Sequence, residues 1–139
     1  MEIGETLRKQ LLIYQRNEIT EYHIYTRLAE YEKSPRNREI LEKIASAELR
    51  HYNKSKEYTL QNVTPDRGKV WIFFWINRIF GITFGVKLME QGEKEAQENY
   101  ERLIKIIPEA AAIMHDENEH EMALIELLDE ERLQYIGSI

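Results

Sequence analysis

Two parts of the chain share one pattern of acids, tyrosine and histidine. Each part reads E-x6-Y-x-R-L and is followed, across a proline, by E-x-x-H. The first copy occupies residues 18–28 and 48–51, and the second occupies residues 93–103 and 117–120. An internal repeat of this kind indicates two copies of one structural unit. We therefore predict two related helical hairpins that bring a Glu, and then a Glu and a His, to a pseudo-symmetric site.

Prolines divide the chain into segments of helical composition. The three prolines are Pro35, Pro65 and Pro108. Proline is favoured in the first turn of a helix, so each one predicts a helix start. The resulting segments are roughly residues 4–33, 35–61, 66–107 and 108–134, and none shows the alternation of a strand. Because short connections join long helices, we predict an all-α, antiparallel four-helix bundle that forms a single domain over residues 1–139.

Each predicted helix carries a stripe of residues at steps of three and four, which places them on one face. The first stripe comprises Leu7, Leu11, Tyr14, Glu18, Glu21, Tyr25 and Leu28, and the second comprises Leu41, Ile44, Glu48, His51 and Ser55. The third comprises Val86, Glu90, Glu93, Gln97, Tyr100, Ile104 and Ile107, and the fourth comprises Ala110, Ile113, Glu117, His120, Leu124 and Leu127. A plain bundle would have apolar residues throughout, so acids in every stripe indicate a buried functional site.

A buried group of carboxylates requires protons or cations, because each buried ion is costly and like charges repel. At a rise of about 1.5 Å per residue, the acids of all four helices lie about 20–26 Å from their turns, hence at one level. Mixed Glu and His ligation favours iron or manganese, and this set matches that of di-iron carboxylate bundles. We expect two iron ions, for which manganese or zinc could substitute. The predicted ligands are Glu18, Glu48, His51, Glu93, Glu117 and His120.

Five further residues near the stripes have weaker or alternative assignments. Glu21 is a ligand candidate that could instead extend to solvent or contact a ligand. His23 and His115 lie off the stripes, so we expect them at the surface or, for His115, beside a ligand. Tyr25 and Tyr100 are the candidate catalytic residues. Each either packs in the core with its hydroxyl satisfied, or hydrogen-bonds to a ligand carboxylate or acts as a redox-active phenol.

The ordered set of acids and histidines resembles the rubrerythrin branch of the ferritin-like di-iron carboxylate superfamily over essentially the whole chain. The pair Glu90 and Glu93 and the tyrosine seven residues after Glu18 carry this resemblance further. By the resemblance, Glu93 corresponds to Glu18 and Glu90 is a seventh metal ligand. Residues 78–93, RIFGITFGVKLMEQGE, are similar to the ferritin-like domain found fused ahead of vacuolar-iron-transporter-type membrane domains.

The resemblance implies an oxidoreductase that couples the oxidation of ferrous iron to the reduction of peroxide or dioxygen. The alternative is a non-catalytic iron-binding module that senses iron or delivers it to a partner or transporter. The sequence contains no cysteine, so the cysteine-ligated centre that supplies electrons to rubrerythrins has no counterpart in it. The electron donor is therefore unknown.

Charge and composition narrow the possible partners. The net charge of −6 at pH 7 argues against nucleic-acid binding. The absence of cysteine excludes a disulfide scaffold, a zinc finger and a thiol nucleophile. The first ten residues have no apolar signal core, so we expect a cytoplasmic protein.

Residues 70–89 are apolar on nearly every side of the predicted helix. A stretch of this length could span a bilayer, but Asn77, Arg78 and Lys87 within it and the acid-rich helices on both sides disfavour that interpretation. One apolar face is left over after packing in the bundle, so we expect a homodimer interface with Trp71 and Trp75 as anchors. Docking to a membrane or to an iron transporter is the alternative. Gly81 and Gly85 allow a bend or a close helix approach.

Overall fold

The computed structural model describes residues 4–82, 84–89 and 91, and every regular element within these ranges is an α-helix. Helix α1 spans Glu5–Tyr31, α2 spans Pro35–Thr59 and α3 spans Arg67–Phe80. Residues 82, 84–89 and 91 are also helical. The all-α class is thereby confirmed for the described residues. The four-helix arrangement and the single domain over 1–139 stay predictions, because residues 92–139 lie outside them.

Helices α1 and α2 form a hairpin around a connection of three residues. The Ser34 hydroxyl accepts a hydrogen bond from the Asn37 backbone N–H at 3.3 Å, and Pro35 occupies the first turn of α2. This start agrees with the sequence prediction and with the ordinary roles of a capping serine and a first-turn proline. Lower-numbered positions of α1 meet higher-numbered positions of α2, as expected for two helices with opposed chain directions.

Helix α3 begins two residues later than the predicted start at Pro65. Asp66 is its N-cap, and one of its carboxylate oxygens accepts a hydrogen bond from the Lys69 backbone N–H at 3.1 Å. An aspartate cap satisfies a free N–H of the first turn, so Pro65 belongs to the preceding loop. The Asp66 backbone N–H in turn donates to the Thr20 hydroxyl at 2.9 Å, which fixes this loop on α1.

The third predicted helix, residues 66–107, is interrupted at Gly81. Helix α3 ends at Phe80, and Gly81 has a φ of 97°, a backbone conformation that strains any residue with a Cβ. The chain returns to helical conformation at residue 82. The prediction of one continuous helix was therefore wrong at this point, whereas the expectation that Gly81 permits a bend is confirmed.

The core lies between α1, α2, α3 and the helical residues that follow Gly81. Every member of the first two predicted stripes is buried, including their acids and the histidine. The central apolar cluster comprises Ile24, Tyr25, Leu28, Ala29, Ile40, Leu41, Ile44, Ala45, Val70, Phe74, Val86 and Met89. Across the described ranges, no helix combines the length and the hydrophobicity needed to cross a membrane.

Candidate metal centre

Three of the predicted ligands lie together inside the hairpin. Glu18 comes from α1, and Glu48 and His51 come from α2; each is only 1% exposed. The step of three residues places Glu48 and His51 on one face of α2. Because α1 and α2 pack face to face with opposed directions, Glu18 lies level with both. The helical period of the first two stripes therefore correctly predicted that these side chains lie on buried faces.

The imidazole of His51 lies between the two carboxylates. Its Nδ1 atom is 3.9 Å from Oε2 of Glu18 and 3.9 Å from Oε1 of Glu48. These separations exceed a direct hydrogen bond, which needs about 3.2 Å or less. Since both oxygens approach the same nitrogen, they are no more than twice 3.9 Å apart. Both carboxylates thus approach the Nδ1 atom of one buried imidazole.

A serine orients one of the carboxylates. The Ser55 hydroxyl donates a hydrogen bond to Oε1 of Glu18 at 2.8 Å, and both side chains are buried. The hydroxyl holds Oε1 on one side, and Oε2 of the same carboxylate is the oxygen nearer His51. A hydrogen bond of this kind restricts the rotation of the carboxylate.

The polar contacts continue one turn beyond the serine. The Thr59 hydroxyl donates to the side-chain carbonyl of Gln15 at 2.6 Å, and the Gln15 amide donates to the Gln61 carbonyl at 2.8 Å. Sequence reasoning missed Gln15 and Thr59. Their signal was spacing: Gln15 precedes Glu18 by three residues and Thr59 follows Ser55 by four, so each extends a stripe already identified.

The structure shows the burial of three of the residues that had weaker or alternative assignments. Glu21 is 3% exposed, so the expectation that it could extend to solvent was wrong. Tyr25 is 1% exposed and belongs to the apolar cluster. His23 is exposed, as predicted. Its pKa is lowered, chiefly because partial burial against neighbours such as Tyr22 disfavours the charged form.

The chemistry of the donor set suits a transition metal. Two carboxylates and one imidazole are ligands that iron, manganese and zinc accept, whereas calcium and magnesium prefer oxygen alone. In the described part of the chain, no group of three or more His, Cys, Asp or Glu is placed to hold a metal ion. The remaining predicted site residues, Glu90, Glu93, Tyr100, Glu117 and His120, lie outside the described residues. Glu18, Glu48 and His51 thus match three of the seven predicted ligands in residue type, and by themselves they are not placed to hold a metal ion.

Comparison with known proteins adds no relative to this description. No protein-family model, no curated protein and no solved structure matches the chain. The likeness to the ferritin-like superfamily rests on the residues and spacings quoted above.

Proposed function

We propose that this chain is a di-iron carboxylate protein of the rubrerythrin or ferroxidase type, built as an antiparallel four-helix bundle. One observation supports it most strongly. Glu18, Glu48 and His51 come from two helices and are almost fully buried. One oxygen of each glutamate lies 3.9 Å from Nδ1 of His51. Burial of two carboxylates in an apolar core is costly, and bound cations would offset that cost.

In this proposal the described hairpin supplies half of the ligands. Glu18, Glu48 and His51 form that half, and the repeat unit of the second half of the chain supplies the other. The second group comprises Glu90, Glu93, Glu117 and His120. The matching order of residues in the two halves is what supports a pseudo-symmetric pair of metal positions.

The bound metal would supply the electrons of the reaction. Oxidation of two ferrous ions releases two electrons, which with two protons convert one peroxide molecule into two water molecules, or one dioxygen molecule into peroxide. The chain contributes binding, orientation and exclusion of water. Ser55 orients Glu18, and the fully buried Ile44 lies one turn before Glu48 on the same face of α2. Tyr25 and Tyr100 are the proposed catalytic phenols, which hydrogen-bond to a ligand carboxylate or pass an electron.

Metal analysis tests the site. Protein produced with iron should contain close to two equivalents per chain, and the double substitution Glu48→Ala with His51→Ala should lose most of it. Glu57→Ala is the matched control, because Glu57 lies on the same helix but is exposed and pairs with Lys54. Full iron content in the double variant, with a helical circular dichroism spectrum, would show that the site is wrongly placed.

Rapid mixing tests the activity. The di-ferrous protein should be oxidised by peroxide in well under a second, with one peroxide consumed per two irons. Tyr25→Phe should slow this oxidation without changing iron content if the phenol takes part. Oxidation no faster than that of free ferrous iron would instead support the non-catalytic iron-binding module.

A further inference from the structure

One side of α3 and of the helical residues after it presents large apolar side chains to solvent. We call this surface the aromatic face; it comprises Trp71, Ile72, Trp75, Ile79, Phe80, Phe84 and Leu88. Trp71 is 61% exposed, Trp75 46% and Ile79 69%. The other side of α3, formed by Val70, Phe74 and Asn77, is buried. The exposure is therefore confined to the side of α3 that does not face the core.

The aromatic face lies in a segment with no acid. Between Arg67 and Met89 the sequence has four cationic residues and no Asp or Glu, although the whole chain has 25 acids and a net charge of −6. The four cations are Arg67, Lys69, Arg78 and Lys87. Arg67, Arg78 and Lys87 are exposed, and Lys69 is half-buried over the Phe73 ring. A positive segment within a negative protein indicates an anionic partner.

The charge pattern disfavours a second copy as that partner. In a two-fold dimer the same patch occurs on both subunits, so two sets of four cations would face each other without a compensating acid in the segment. Like-charge juxtaposition of this kind is costly at an interface. An exposed apolar face in a segment whose charges are all positive fits an acidic lipid surface, where acyl chains accept tryptophan and headgroups accept the cations.

The length of α3 favours a position in the plane of the interface. Its 14 residues extend about 21 Å, and Gly81 then redirects the chain. The hydrocarbon core of a bilayer is about 30 Å thick, so α3 is too short to cross it. Because its buried side is already packed in the protein, only the aromatic face is available for insertion.

We propose that the aromatic face binds the surface of an anionic lipid bilayer, with α3 lying parallel to that surface. This inference goes beyond the proposed metal chemistry and does not depend on it. The site it assigns combines the aromatic face, with its two tryptophans, and the cations of the same segment, and the ligand is the anionic headgroup region of a membrane.

The chain carries its own probe for this proposal. It contains two tryptophans, and both lie on the aromatic face. Vesicles of phosphatidylcholine with about one-third phosphatidylglycerol should shift the tryptophan emission to shorter wavelength, and the protein should float with them. Vesicles of phosphatidylcholine alone should do so much more weakly, and added salt should release the protein, because screening weakens attraction between exposed charges.

Matched variants distinguish binding through this surface from nonspecific adsorption to vesicles. Ile79→Glu keeps both tryptophans and should abolish the emission shift, whereas Ile13→Glu, at a residue 58% exposed on α1, should leave it unchanged. Lys69→Gln with Lys87→Gln should weaken binding about tenfold or more. The charge-matched control is Lys43→Gln with Lys54→Gln, on α2, which should have little effect. Circular dichroism confirms that each variant is folded.

Three results would overturn the proposal. Equal binding to neutral and anionic vesicles would remove the role of the cations. A dimeric mass by light scattering, with an emission shift that depends on protein concentration in the absence of lipid, would assign the face to a second copy of the chain. A monomer whose emission is already that of buried tryptophan would show that the chain covers the face itself.

Discussion

At the scale of single residues, the stability of the protein can reveal the role of Ser55. Its hydroxyl donates to the buried Glu18 carboxylate at 2.8 Å. Ser55→Ala should lower the free energy of unfolding by about 1.5–3 kcal/mol, the usual value of a hydrogen bond to a charged group. Urea unfolding followed by circular dichroism measures this change. Iron affinity should fall as well, because Glu18 would no longer be held in one orientation.

The control for this substitution is Ser46→Ala. Ser46 lies on α2 as well but is exposed, so its replacement reports only the difference in helix propensity between serine and alanine. That difference is small and favours alanine. If both variants lose the same stability, or neither loses any, the Ser55 contact has no energetic role.

His23 provides a prediction about pH. Burial chiefly, and then the charges of Arg27 and Arg67, lower its pKa below the usual histidine value of 6.5. The unfolded chain therefore binds this proton more readily than the folded one. The His23 contribution to stability is complete above pH 6.5 and is lost as the pH falls from there toward the folded pKa.

An NMR titration of the His23 imidazole should give a midpoint below 6.5. Arg27→Gln should raise this midpoint, because one of the repelling charges is removed, but not to the usual value of 6.5, because burial and Arg67 remain. Lys43→Gln, on α2, is the control and should leave the midpoint unchanged. A midpoint at or above 6.5 would contradict the geometry around His23.

At the scale of elements, Gly85 determines how closely the helical residues after Gly81 approach α3. A Cβ atom built at Gly85 would overlap the Asn77 side chain, which is 2% exposed and donates to the Phe73 carbonyl at 2.7 Å. Gly85→Ala should therefore lower the free energy of unfolding by about 1–3 kcal/mol through overpacking. Denaturant unfolding measures this loss.

Gly68→Ala is the matched control. Gly68 lies in the first turn of α3, where an added Cβ would come no closer than 3.6 Å to Asp66, an ordinary contact. Since alanine is a better helix former than glycine, this variant should be as stable as the original or more so. In a double-mutant cycle, Asn77→Ala should reduce the cost of Gly85→Ala. An additive result would mean that the two residues do not contact each other.

The elements also show why sequence reasoning succeeded in the hairpin and failed at α3. The stripes of α1 and α2 have a regular helical period, so both the buried face and the acids on it were predicted correctly. At α3 two local signals competed. Pro65 favoured an early start, but the Asp66 side chain satisfies the first-turn N–H groups and decides the boundary. The break at Gly81 is accompanied by close packing of Gly85 against Asn77, a contact that periodicity does not express.

For the candidate metal centre, the sequence could predict only which residues lie on facing sides of the two helices. The step from Glu48 to His51 placed both on one side of α2, and counting residues from the turn placed Glu18 beside them. The Ser55 bond to Glu18 and the Gln15 bond to Thr59 required the rotation of each helix about its axis. That rotation is determined by the packing of apolar side chains between the helices, so it became visible only in the structure.

At the scale of the whole molecule, the buried acids oppose folding unless something neutralises them. Glu18, Glu21 and Glu48 are each 3% exposed or less and lie within one core. Carboxylates in such surroundings lose hydration and repel one another. A ligand that binds only the folded chain adds stability that grows with the logarithm of its concentration over its dissociation constant, about 2.7 kcal/mol when the concentration is a hundred times that constant.

The effect of Glu48→Gln on the melting temperature should therefore depend on whether metal is present. Without metal, the neutral amide of nearly equal size should raise the melting temperature or leave it unchanged, because one buried charge is removed. With excess ferrous iron under anaerobic conditions, the original chain should gain roughly 10 °C and the variant much less. Thermal melts followed by circular dichroism measure both quantities. Glu57→Gln, on the exposed side of α2, should behave as the original chain in both conditions. An equal iron-dependent gain in Glu48→Gln would mean that iron binds elsewhere and that the buried acids serve the fold alone.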